Sequence, residues 1–93
     1  MAALTFTKDT VNNYWVAEET VNTDFNVHVE CAESGYLRVE VGTVSGANKM
    51  TKYETRAGYI VDWDFHGAVY PKYIKVVSYK EPTSGSCFLT EAE

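Results

Sequence analysis

The chain has 93 residues, 45% hydrophobic and 23% charged, enough for one small domain and too short for two. A domain of this size buries only about 60–65% of the surface its unfolded chain exposes, so its stability is thin. The net charge of −5, with only eight scattered Lys and Arg, argues against a nucleic-acid partner and an anionic membrane surface, both of which need clustered cations.

The chain opens Met1-Ala2-Ala3-Leu4-Thr5, with no basic segment and no long apolar stretch. Neither a signal peptide nor a transmembrane helix is expected, and synthesis in the cytoplasm is. Residues 4–7 read as a first short strand. Residues 13–19, carrying Tyr14, Trp15 and Val16, read as a second. The plainest element is 24–31, where Phe25, Val27, Val29 and Cys31 alternate with Asn26, His28 and Glu30. That period of two marks a strand with one buried and one wet face.

After Ala32-Glu33-Ser34-Gly35, a further strand sets Leu37, Val39 and Val41 inward and Tyr36, Arg38 and Glu40 outward. The short Gly-containing loop predicts a hairpin between the two. Residues 44–49 read as a loop, and 50–55 as an edge strand with lysines that discourage further pairing. Residues 59–65 form a strong strand, with Tyr59, Val61, Trp63 and Phe65 on one side and Asp62, Asp64 and His66 on the other. Pro71 opens the next strand, 73–79, where Ile74 and Val76 are core. A Pro-Gly turn over 81–85 leads to a last strand, 86–90, with Cys87, Phe88 and Leu89.

Seven to eight short strands with polar turns and no convincing helix predict a single all-β domain over residues 1–93. The class is an antiparallel β-sandwich, jelly-roll-like, with a small closed barrel as the alternative. Cys31 and Cys87 form no C-x-x-C pair and read as buried thiols, able to bridge only if their strands are neighbours.

Candidate chemistry is sparse. Asp62, Asp64 and His66 share a face at two-residue spacing, where carboxylates and an imidazole offer ligands to a cation. The plainer reading is the solvated polar face that every half-buried strand has. His28 with Glu30 has the form of a base with an orienting carboxylate, but no nucleophile sits in a recognisable elbow, and no catalytic residues or cofactor are expected. Fourteen per cent of residues are aromatic, seven of them tyrosine. Tyr36, Tyr73, Tyr79 and Trp15 are the candidates for an exposed binding platform, either for a protein partner or for the apolar faces of a glycan.

The run Tyr14-Trp15-Val16-Ala17-Glu18, the strand from Asp24 to Glu30, and Tyr73-Ile74-Lys75-Val76-Val77 followed by Phe88-Leu89-Thr90-Glu91 resemble small proteins of phages and prophages. The resemblance implies a β-sandwich virion accessory protein: a head-decoration, head-fibre or tail-associated subunit, often a symmetric homo-oligomer. It carries no catalytic residues with it.

Overall fold

The computed structural model describes residues 2–30, 36–43, 50–54, 60–66, 71–82 and 86–92. Among them the chain forms nine strands: β1 (Ala2–Ala3), β2 (Thr7–Asp9), β3 (Tyr14–Val21), β4 (Phe25–Glu30), β5 (Leu37–Thr43), β6 (Met50–Glu54), β7 (Ile60–Phe65), β8 (Lys72–Ser78) and β9 (Cys87–Glu91). They make two sheets, a four-stranded one in the order β1-β9-β4-β7 and a five-stranded one in the order β2-β3-β8-β5-β6. Every ladder is antiparallel.

The pairings are nested. β5 pairs with β6, β4 with β7, β3 with β8 and β1 with β9. Successive pairs fall in opposite sheets, as in a long antiparallel ribbon rolled over on itself. That is the jelly-roll arrangement, with β2 added as a hairpin beside β3. The two sheets share no ladder among the described strands, so the domain is a sandwich and the barrel alternative is set aside.

Two expectations change. The strand at Asp24 and the strand at Leu37 do not form a hairpin: β4 pairs with β7 and β9, and β5 with β6 and β8. The short connection between them crosses from one sheet to the other. Of the predicted strand over 4–7 only Thr7 is in a strand, and residues 4–6 instead join β1 to β2, which lie one in each sheet. Leu4 and Phe6 lie in the crossing and pack half-buried against the core, while the Leu4 amide donates to the Cys87 carbonyl at 3.0 Å. In both cases the chain changes sheet at the point where a continuous strand or tight hairpin would have kept it in one.

The core is the filling between the sheets. Phe25, Val27 and Val29 of β4, Val61 and Phe65 of β7 and Leu89 of β9 meet Leu37, Val39 and Val41 of β5, Ile74 and Val76 of β8, and Ala17 and Val21 of β3. Each valine so buried contributes roughly 1.5–3 kcal/mol relative to exposure. The Phe25 and Phe65 rings stack across the β4–β7 ladder, 4.8 Å between centroids and 6° from parallel. Trp63 packs on Phe65 and is half-buried, in line with its expected inward direction.

β3 is the strand where alternation fails: Glu18, Glu19 and Thr20 are all exposed. β2 pairs only with residues 14–16, so among the described strands the rest of β3 has no neighbour on that side. The β2–β3 turn is held by Asp9, whose carboxylate accepts from the Val11 and Asn12 amides and the Asn12 side chain at 3.0–3.1 Å. Asn13 completes the turn at φ 59°, a left-handed conformation that Asn tolerates better than most residues.

Cys87 is buried, with its thiol 3.5 Å from the Glu30 carbonyl oxygen. Its expected counterpart Cys31 lies outside the described residues, as do the turns at 32–35 and 83–85, the loop 44–49, Tyr59 and Gly67.

Candidate functional site

Each sheet has an outer face, and the two differ in chemistry. On the four-stranded sheet the ladders set His28 opposite Asp62 and Asn26 opposite Asp64. Asn26 and His28 thereby meet Asp62 and Asp64, and Glu30 joins them through His28. Asn26 Nδ2 donates to Asp62 Oδ1 at 2.5 Å and to Asp64 Oδ1 at 2.7 Å. His28 Nδ1 lies 3.3 Å from Asp62 Oδ2, and its Nε2 lies 3.1 Å from Glu30 Oε2. A continuous chain of polar contacts thus runs from Glu30 through His28, Asp62 and Asn26 to Asp64.

His66 does not join Asp62 and Asp64. It is 76% exposed at its side chain, and its Nδ1 faces Asp24 Oδ2 at 3.7 Å. With Asp24, Asn26 and Asp64 it borders an open cleft of about 220 Å³ whose apolar wall is Phe25. Among the described residues no three His, Cys, Asp or Glu side chains converge to hold one metal ion. His66 is turned to Asp24, and one oxygen each of Asp62 and Asp64 is engaged by the Asn26 amide. Addition of Ca²⁺, Mn²⁺ or Zn²⁺ is accordingly expected to leave the melting temperature unchanged. An upshift that disappears in Asp62→Asn would reinstate the cation reading, because a ligand that binds only the folded state must raise the transition.

On the five-stranded sheet the outward positions form rows across β3, β8 and β5. Val16, Val77 and Arg38 make one row and Glu18, Lys75 and Glu40 the next. Thr20, Tyr73 and Gly42 make a third. Beyond the ladder ends, Tyr36 and Tyr79 continue the pattern, joined by the Tyr79 amide donating to the Tyr36 carbonyl at 3.4 Å. Their rings stack at 4.9 Å and 23°. The Arg38 guanidinium lies 5.9 Å from the Tyr36 ring centroid and donates to the Tyr36 hydroxyl at 3.3 Å. Arg38 also pairs with Glu40 at 3.5 Å. Tyr79 is 54% exposed, whereas Val77, which lies on the same outer face, is fully covered.

The four candidate aromatics are thus divided. Tyr36 and Tyr79 form one cluster, with Tyr79 the open ring. Tyr73 is on the same face but is half-buried rather than exposed. Burial, together with the Glu18 carboxylate that accepts from its hydroxyl and the more distant Glu40, pushes its pKa up to about 12. Trp15 points to the opposite side of β3 from Tyr14, half-buried at the sheet end, with the Lys8 ammonium 5.5 Å from its ring. Arg38 and Asn26 were not singled out in the sequence. Arg38 shows there only as an outward strand residue, and Asn26 as one polar position among several.

Comparison of the chain with known protein families, with curated proteins and with solved structures finds no match.

Proposed function

We propose that this domain is a non-enzymatic structural and interaction module, a phage- or prophage-derived virion accessory subunit that self-associates through the outer face of its five-stranded sheet. The observation that carries the reading is the Arg38–Tyr36–Tyr79 stack. Tyr and Arg dominate the energetic centres of protein interfaces, because rigid amphipathic rings and a planar cation bury much area at small entropic cost. Here both are already ordered against each other, so docking would freeze little that is free. A domain of this size also gains stability by burying surface against a second copy.

Two further features favour this reading. Jelly-roll domains recur in viral capsids and lectins, a fold-level analogy that narrows the class without assigning a role. The His28 imidazole has a carboxylate at each nitrogen, an arrangement suited to holding strands together and poorly suited to taking a proton from a substrate. The test is multi-angle light scattering over a range of concentrations. A dimer or higher oligomer is expected for the native chain, and a strict monomer at the highest concentration reached would overturn self-association.

A carbohydrate-binding role is the second reading, and the exposed Tyr79 ring favours it, since sugar C–H faces stack on such rings. It predicts glycan-array signals that vanish in Tyr79→Ala. Silence of the native chain on such an array would remove it.

A further inference from the structure

The outer face of the four-stranded sheet holds a second device, independent of the tyrosine cluster. His28 sits on β4, the strand between β7 and β9. From β7 the charged group Asp62 faces it, with Asp64 one outward position further along, and from β4 itself Glu30. On the β9 side its partner is the uncharged Phe88. Both ring nitrogens lie within hydrogen-bond distance of carboxylate oxygens, 3.1 Å at Glu30 and 3.3 Å at Asp62. Ionised carboxylates only accept. A neutral imidazole has one N–H and one lone pair, so it satisfies one of these contacts and sets its lone pair against the other carboxylate. Only the doubly protonated ring satisfies both.

Asn26 extends the consequence. Its amide is committed to Asp62 and Asp64 together, so the position of Asp62 is shared by His28 and Asn26. The ring on β4 therefore acts on two carboxylates of β7, one directly and one through Asn26.

We propose that His28 is a proton-operated clamp between β4 and β7: the doubly protonated ring ties Glu30 and Asp62, and through Asn26 also Asp64, into one network, and loss of its proton loosens the outer side of β7. The Glu30 carboxylate first, and Asp62 after it, hold the His28 pKa above its ordinary value of 6.5, against the opposing pull of partial burial. The sign follows by linkage. A raised folded-state pKa gives a stabilisation that is complete below 6.5 and is lost as the pH rises through the folded midpoint above it. The domain is thus firmer in mildly acidic than in mildly alkaline surroundings, and the difference is localised to one ladder. β7 is the last strand of its sheet, so the loosening acts where pairing is present on one side only among the described strands.

Two measurements on the full chain test this. Imidazole ¹⁵N and ¹³C shifts followed against pH should place the His28 midpoint above 6.5, and Glu30→Gln or Asp62→Asn should each lower it. Amide hydrogen exchange, expressed as protection factors at pH 5.5 and pH 8.5, should show β7 protection falling by about two- to fivefold at the higher pH, the equilibrium equivalent of surface ion pairs. In His28→Gln that pH dependence should vanish, with the fold retained because the position is on the wet face. A His28 midpoint at or below 6.5, or the same loss of β7 protection in His28→Gln, would overturn the clamp.

Discussion

Replacing Phe25 by alanine is expected to cost about 3–5 kcal/mol of folding stability, read as a lowered urea midpoint. Phe25 is 3% exposed, lies opposite both Phe65 and Glu91, and stacks on the Phe65 ring. Truncation would remove the transfer energy of a whole ring and the stacking contact with it. It would also join a new void to the cleft that Phe25 walls. Water entering from that cleft relieves part of the cavity term, which favours the lower half of the range. The loss is large because native domains are stable by only about 5–15 kcal/mol, and a short chain lies at the low end. Ile60→Ala on the neighbouring strand is the control. Ile60 is 45% exposed, and its shortening should shift stability by no more than about 0.5 kcal/mol.

Combined replacement of Tyr36 and Tyr79 by alanine should weaken self-association by about 30-fold or more, the equivalent of about 2 kcal/mol at an interface centre. The effect on folding should be smaller. A surface aromatic pair contributes about 0.5–1.5 kcal/mol beyond its area burial, and neither ring belongs to the core between the sheets. Sedimentation velocity gives the first quantity and urea denaturation the second. If association is unchanged while stability falls, the stack is a cover for Val77 and the self-association face lies elsewhere. Arg38→Lys separates the two roles further: it keeps the charge and gives up the planar stacking and the directed hydrogen bond.

Much of the fold was legible because period two is a strong signal in this chain. β4 carries it most clearly, with Phe25, Val27 and Val29 buried and Asn26, His28 and Glu30 half-exposed. β5 and β7 follow the same rule. Alternation states which way a side chain points and leaves open which strand lies beside it. The loop before Tyr36 therefore suggested a hairpin, while the chain uses the same short span to change sheet. Val77 illustrates the same limit. Alternation with the core positions Ile74 and Val76 sets it outward, yet it is fully buried there, between Val16 and Arg38. The acidic strand face was visible, but not its organisation. A single Asn bridging two carboxylates has no sequence pattern, since its meaning comes from a partner strand more than thirty residues away. The tyrosines were found by type, and only their neighbours could separate an open ring at Tyr79 from an engaged one at Tyr73.

The nested ribbon has a consequence for how the chain reaches this state. Once β5 and β6 have met, β4 and β7 are held at a modest separation, and each further pair closes only the span left by the one inside it. Loop-closure entropy is then lost in small steps rather than at once. The β1–β9 ladder joins the strands farthest apart in sequence, and it closes the shortest remaining span when the inner pairs are already in place. A jelly roll of this kind should therefore fold slowly for its length, as sheets of non-local strands do, with the β5–β6 hairpin early and β1–β9 late.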